Sequence, residues 1–438
     1  MHKIAVVFIL LLAVLTTACS GSVQPVPEPV TPTAVPQTTP TPAPQPTHEP
    51  TPEPTPEPAP EPTPEPTPEP EPIRIRLTVG GDVVLHMAFY DKARQPDGSY
   101  DFSGLFADVK PYIEDADFAL CCFEGALSES GPFQGYPLFH SPDGLAASLK
   151  AAGFDLINLA SNHGMDGGKT GLDRTIDVLD SLGLDHCGAY RTQEERDENH
   201  GVILKDIGGV RIAFLDYTYG TNGIPTDNWP WCMNVYLEDW TTVRTELIES
   251  DMAYAKSLDP DLIAVTMHWG NEYVLDRQQH QTEMADYLFS LGADLVLGGH
   301  PHVPEPMEVR EIEEPDGTTR TGYLCYCLGN LVANMHETEH RGSSLTALAL
   351  LDIEKDPVTG RTRLTRAEYV PMAMFDQLTY WTGGPWRHRL LDLRSLLAAH
   401  DAGEGPDWLS DYMANDLRAR LSLIESVMGP ELVYEETP

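Results

Sequence analysis

Ile73-Arg74-Ile75-Arg76-Leu77-Thr78-Val79-Gly80-Gly81-Asp82 is where the chain changes character. The apolar run from Ile73 to Val79 reads as a strand, and a carboxylate follows close behind it. The same arrangement recurs downstream. Phe118 to Phe123 leads into Glu124-Gly125, and Leu156 to Ala160 into Ser161-Asn162-His163-Gly164-Met165-Asp166. Leu262 to His268 ends on a histidine and continues as Trp269-Gly270-Asn271-Glu272-Tyr273. Leu295 to Leu297 leads into Gly298-Gly299-His300-Pro301-His302. Other strands are predicted at Arg211 to Asp216, Tyr323 to Leu328, Ser344 to Ile353 and Arg363 to Val370. Helical periodicity marks Gly144 to Ala152, Gly171 to Leu182, Asp239 to Leu258, Gln279 to Leu291 and Trp408 to Met428. Alternating strands and helices predict an α/β sheet protein, in which strand carboxyl ends gather along one edge. Polar clusters separated by up to about 220 positions then converge.

Upstream of Ile73 the composition is different. Residues 20–72 hold 21 of the 39 prolines and 8 glutamates with no lysine or arginine. Thr-Pro-Glu-Pro recurs there with a period of four, which leaves no apolar face and favours polyproline II. The segment reads as a disordered spacer, able to reach on the order of 160 Å when extended. Before it, Lys3, the apolar stretch Ile4 to Leu15 and Thr16-Thr17-Ala18-Cys19 read as an export signal in residues 1–19. A cysteine at that place resembles a bacterial lipoprotein signal, with Cys19 as the lipidated residue; an ordinary secretory signal is the alternative. The expected location is therefore extracytoplasmic, on the bacterial cell membrane. The remaining 366 residues carry 27 basic and 59 acidic side chains, and the whole chain a formal −39. Nucleic acid is excluded as a partner, because phosphate contacts need basic residues.

The strand-end residues make a coherent donor set. Two carboxylates, Asp82 and Glu124, one amide, Asn162, and three imidazoles, His268, His300 and His302, suit one or two divalent ions such as Mn, Fe or Zn. Glu124 is placed to bridge a pair, which would bind an anionic substrate oxygen and activate water. The six cysteines after Cys19 show no CxxC spacing and fall mostly in apolar runs, so buried free thiols are expected.

Gly81-Asp82, Phe123-Glu124-Gly125, Ser161-Asn162-His163 with Asp166, His268-Trp269-Gly270 with Glu272-Tyr273, His300-Pro301-His302 and Leu328-Gly329-Asn330 resemble, in order, the CapA family, named for a capsular poly-γ-glutamate synthesis protein. That family is similar to calcineurin-like metallophosphoesterases. The resemblance implies a four-layer αββα sandwich over about residues 73–380, with 381–438 as a C-terminal helical extension. It implies that Asp82, Glu124 and His302 face one metal, and Glu124, Asn162, His268 and His300 the other. It further implies a His163–Asp166 acid dyad, in which His163 protonates a leaving group and Asp166 orients it, with Glu272, Tyr273 and Asn330 around the ligands or substrate. Two departures stand out. Val84 occupies the place of a histidine two residues after the first aspartate, with His86 two further on, and Pro304-Glu305 is expected to alter the mouth of the site.

Each piece has a plainer explanation alone: Asp82 as a helix cap, Asn162 as a turn former, Trp269-Gly270 as packing. His86, His140, His186 and His336 read as structural or solvated. Arg387, His388, Arg389 and Arg394 form the densest basic cluster and read as a solvated helix face. Two functional readings remain: a metal-dependent hydrolase or transferase acting on a phosphoester or in poly-γ-glutamate synthesis, export or anchoring, or a non-catalytic envelope component with a docking metal site.

Overall fold

The computed structural model describes residues 70–314, 316–335, 337–376 and 388–435. Cys19, most of the 20–72 spacer, His336 and Arg387 lie outside the described residues.

The strands are β1 (Ile73–Val83), β2 (Phe118–Phe123), β3 (Ala126–Ser128), β4 (His140–Pro142), β5 (Leu156–Asn158), β6 (Asp185–Cys187), β7 (Ile203–Ile207), β8 (Val210–Thr218), β9 (Leu262–His268), β10 (Leu295–Gly299), β11 (Met307–Glu313), β12 (Thr319–Cys325), β13 (Asn330–Val332), β14 (Leu345–Lys355), β15 (Thr362–Asp376) and β16 (His388–Asp392). The helices are α1 (Met87–Ala93), α2 (Lys110–Glu114), α3 (Gly144–Ala152), α4 (Gly168–Leu182), α5 (Gln193–Glu198), α6 (Thr245–Ser257), α7 (Gln279–Ser290), α8 (Leu393–Asp401) and α9 (Asp411–Met428).

Two large sheets carry the fold. The first runs β16-β15-β14-β1-β2-β5-β6 with β13 beside β1, and the second β11-β12-β10-β9-β8-β7. β1, β2, β5 and β6 are mutually parallel, as are β8, β9, β10 and β12. A parallel strand covered on both faces needs apolar side chains on both, and every residue of Phe118-Ala119-Leu120-Cys121-Cys122-Phe123 is buried.

Three apolar clusters define four layers. Between the sheets, Leu77, Leu120 and Leu156 of the first meet Phe214, Leu262 and Leu295 of the second. On the outer face of the first sheet, Cys121 and Ile157 pack with Leu145 and Leu149 of α3 and Leu172 and Ile176 of α4. On the outer face of the second, Val265 and Val296 pack with Ile248 of α6 and Leu288 of α7. The order is helix, sheet, sheet, helix, a four-layer αββα sandwich as the resemblance implies.

Boundaries differ from expectation where local chemistry overrides periodicity. The helix expected from Asp239 begins at Thr245, because the Asp239 carboxylate accepts the N–H groups of Thr241 and Thr242 and holds that stretch in a turn. The segment read as a helical extension also supplies β16, the edge strand of the first sheet. Its helices α8 and α9 place Leu397, Met413, Leu417 and Ile424 in the inter-sheet cluster. The basic cluster is likewise not a solvated helix face. His388 is buried in β16, Arg389 forks onto Asp108 at 2.8 Å, and Arg394 pairs with Glu425. All six cysteines from Cys121 on are buried and unpaired.

Candidate metal centre

The sheets bring their strand ends together at one edge. Asp82 sits where β1 passes between β2 and β13, and its N–H donates to the Gly329 carbonyl at 3.1 Å. A Cβ on the preceding Gly81 would fall 1.9 Å from that same oxygen, so only glycine lets the chain pass there. From the second sheet, the His300 N–H donates to Asp82 Oδ2 at 2.8 Å. This single bond ties the His-Pro-His loop after β10 to the end of β1, across 218 residues.

Glu124 lies at the middle. Its Oε1 is 3.8 Å from His268 Nε2, 3.9 Å from His302 Nε2 and 3.9 Å from His163 Nε2. His268 Nε2 is also 2.8 Å from Asn162 Oδ1. Asn330 accepts from His302 Nδ1 at 2.8 Å and returns its amide to the His302 carbonyl at 3.1 Å, which fixes the ring and turns Nε2 inward. Backbone strain concentrates here: His300 (φ 95°), His302 (φ 59°), Tyr273 (φ 64°) and Asn222 (φ 49°) all adopt conformations that favour glycine.

Five buried atoms in this cluster have no hydrogen-bond partner: Asp82 Oδ1, both Glu124 carboxylate oxygens, His268 Nδ1 and His300 Nδ1. Buried polar atoms are almost always paired, so a converging set of unpaired oxygens and imidazole nitrogens fits a divalent cation. Protonation states agree. Burial, reinforced by the neighbouring imidazoles, pushes His268 and His300 well below the ordinary histidine range, and His302 to about 4. They are therefore neutral, as a ligand must be. Burial, with Asp82, Glu272 and Asp166 nearby, drives Glu124 well up, and burial raises Asp82 to about 6. Carboxylates in that position are short of positive charge.

By proximity, Asp82 groups with Cys122 and His268, and Glu124 with His300 and His302. The family resemblance implies a different division, with Asp82 beside His302 and His268 beside His300. Val84 is wholly buried with Phe139 and Ala333. His86 belongs to neither donor group. Its ring packs edge-on against Phe139, and its Nδ1 accepts the Asn334 N–H at 3.3 Å.

Beside the donors, His163 Nδ1 donates to Asp166 Oδ2 at 2.8 Å, and Asp166 Oδ2 also accepts the Phe139 N–H. His163 Nε2 accepts from the Asn222 amide at 3.1 Å. His140 is tied to the same loop, donating to the Asp166 carbonyl at 3.0 Å. Glu272 is exposed, while Tyr273 stacks on His340 with centroids 3.6 Å apart. Trp269 is fully buried and donates to the Tyr326 carbonyl, a packing role.

Sequence reasoning passes over three residues here. Tyr219 follows β8, and its ring lies 4.7 Å from that of His300; the strand-end rule would have found it. Asn222 precedes Gly223, a turn signal that places the turn but not its contact with His163. Asp216, buried in β8, accepts the Ala160 N–H at 2.8 Å and so holds the Asn162–His163 loop from the opposite sheet. Glu305 is a correction. It does not shape the mouth of the site; it is buried behind it, accepting from Gln281 Nε2 at 2.7 Å.

Residues 76–335 match the family described as bacterial capsule synthesis protein PGA_cap. The chain belongs to that family. Among relatives of this PGA_cap chain, it is 26% identical over 291 residues to the capsule biosynthesis protein CapA of Bacillus anthracis, covering 64% of each chain. It is 28% identical over 290 residues to the PGA biosynthesis protein CapA of Bacillus subtilis strain 168, covering 65% of this chain and 69% of the relative. The match thus spans less than two thirds of the length of the Bacillus anthracis protein. Among solved structures, a phosphatase from Mycoplasma pneumoniae overlays 69% of this PGA_cap chain and 95% of its own, with a TM-score of 0.41 and 14% identity.

Proposed function

We propose that this chain is a metal-dependent hydrolase or transferase of phosphoesterase type, acting in poly-γ-glutamate capsule synthesis, export or anchoring. The observation that carries the reading is the cluster of five unpartnered buried donor atoms with a histidine–aspartate pair beside it. The names of the two CapA relatives support the capsule role. Asp82, Glu124, Asn162, His268, His300 and His302 would hold the cation. Once bound, the ion supplies positive charge for an anionic substrate oxygen and activates water. The rest falls to the chain itself. Asp166 holds the His163 ring through Nδ1, so that Nε2 faces the cluster and delivers a proton to the leaving atom. Asn222 orients Nε2 in the neutral ring, and Asn330 keeps His302 aimed inward. Burial of these side chains lowers the local dielectric and strengthens each of these contacts.

The acidic charge of the folded part repels a polyglutamate chain, so the polymer needs counterions or metal to approach closely. Attachment to the outer face of the cell membrane through Cys19 belongs to the same proposal, with the Thr-Pro-Glu-Pro segment as spacer. No helix among the described residues is long and apolar enough to cross a membrane. Exchanging Cys19 for serine should release the chain from the membrane fraction; unchanged fractionation would sink the lipid anchor.

A second reading, a binding component with a docking ion, is favoured by one observation: Val84 puts an apolar side chain where the resemblance leads one to expect a histidine ligand. Metal analysis of the purified protein, followed by assays on phosphoesters and γ-glutamyl amides with added Mn, separates the two. Bound metal with turnover supports the hydrolase or transferase. Bound metal with no turnover on any of these substrates leaves the binding component.

A further inference from the structure

Two cavities flank the metal centre, and Glu272 lines both. One, of about 490 Å³, reaches His163 and His302 and has His86 and His340 in its walls. The other, of about 890 Å³, abuts His300 and is walled by Tyr219, Tyr236, Trp240 and Tyr287. A row of rings leads outward along the second cavity: Tyr219 lies 4.7 Å from His300 and 6.0 Å from Trp240. Trp240 stands 63% exposed at its mouth, held at φ 68°.

The chemistry of the two walls differs. The first carries four imidazoles, His86, His163, His302 and His340, together with the carboxylates Glu272 and Glu339. The second is mainly aromatic and aliphatic, with His280 and the carboxylates Glu272 and Glu283 and, among its described lining residues, no lysine or arginine. Both walls repel an anionic polymer, and what sets the second apart is its row of aromatic rings. An uncharged aryl or alkyl group gains burial and ring contacts instead. A phosphomonoester has one substituent and fills one cavity. A diester has two.

We propose that the centre is built for a phosphodiester: the leaving alcohol occupies the imidazole-lined cavity beside His163, and an uncharged aryl or alkyl group that stays on phosphorus occupies the aromatic cavity against His300. This rests on the phosphoesterase reading above. The oxygen of a water bonds to phosphorus, and the bond from phosphorus to the leaving oxygen breaks. Protonated His163 gives its Nε2 proton to that oxygen, and one proton of the water returns through solvent to His163. The second ester bond is untouched, so the products are an alcohol and a monoester that keeps its apolar group.

The test uses the full chain loaded with Mn, with bis(p-nitrophenyl) phosphate and p-nitrophenyl phosphate as substrates. Calorimetric binding of diphenyl phosphate and of inorganic phosphate provides a readout independent of turnover. Wild type should favour the diester in kcat/KM by about tenfold or more. Trp240→Ala should cut that preference about tenfold, through KM, and Trp240→Phe should restore most of it. Trp240→Ala should also weaken diphenyl phosphate about tenfold relative to inorganic phosphate. Preference for the monoester, or an unchanged ratio in Trp240→Ala, overturns the inference while leaving the phosphoesterase reading intact. Tighter binding of a diester carrying a quaternary ammonium group than of diphenyl phosphate overturns the uncharged occupant. If neither inorganic phosphate nor any phosphorus ester binds or reacts, the phosphoesterase reading itself fails and takes this inference with it.

Discussion

The two sheets contribute different chemistry to one site. The first supplies oxygen atoms, from Asp82 at the end of β1, Glu124 after β2 and Asn162 after β5. The second supplies nitrogen, His268 at the end of β9 and His300 and His302 after β10. Neither half is a cation site alone: one is a set of buried carboxylates that repel each other, the other a set of imidazoles kept neutral by burial and by one another. Packing sheet on sheet creates the cluster, so binding of the proposed cation would be thermodynamically linked to sheet packing.

The severest way to break this division is Glu124→Ala. It should abolish stable metal binding, read as metal content after dialysis. The metal-free protein should at the same time melt higher than metal-free wild type, because an unpaired buried carboxylate is gone. His268→Ala should lower metal content from the nitrogen side; if only the oxygen-side change empties the site, the division is wrong.

His163 belongs to the oxygen-bearing sheet yet donates no ligand atom in this scheme. His163→Ala should keep its metal and lose turnover by roughly 10² to 10⁴, the usual contribution of a general acid. Loss of metal in this variant would move His163 into the ligand set.

A fourth change probes the support behind the nitrogen side. Burial raises the Glu305 carboxyl from its ordinary value to about 8, partly offset by the hydrogen bond from Gln281. A group held protonated in the folded state contributes stability that is fully present below its unfolded pKa and is lost as pH rises through the folded one. Wild type should therefore weaken between about pH 4.5 and 8 relative to Glu305→Gln. The variant should melt higher at pH 8, by on the order of a few kcal/mol, and about equally at pH 4. Parallel melting curves across that range would show that Glu305 is ionised throughout.

The smallest effect concerns the seam between the sheets. Asn158 of β5 donates to Thr266 Oγ1 of β9 at 2.9 Å. Thr266→Val should cost about 1–3 kcal/mol in denaturant unfolding, since it leaves a buried amide unpaired. Metal affinity should fall by no more than a few fold. A larger fall would mean that this bond, rather than apolar packing, sets the register of the two halves.

Which parts of this were legible in advance follows from burial. The strands Phe118–Phe123 and Leu262–His268 and the helix Gly144–Ala152 were readable to the residue, because both faces of those strands and one face of that helix are apolar. β6 and β16 were not, being short edge strands with polar residues such as Asp185 and Arg389. The convergence of Asp82, Glu124, Asn162, His268, His300 and His302 was legible because they sit where strands end. Asp216 was not, since its work is to hold a loop of the other sheet, a relation that exists only once the sheets are packed. Glu305 was misread for the same reason: proximity in sequence to His302 suggested the mouth, whereas the chain turns it inward to meet Gln281.

The left-handed backbone at His300 and His302 has a consequence for the history of such chains. Those two residues occupy conformations suited to glycine or asparagine, and only their imidazoles justify the strain. A duplicated copy freed from holding a cation would gain stability by replacing them with glycine or asparagine, without moving the loop. Drift at these two positions, more than at Asp82, whose Oδ2 also anchors the His300 amide, should be the earliest mark of a lineage that has abandoned its metal.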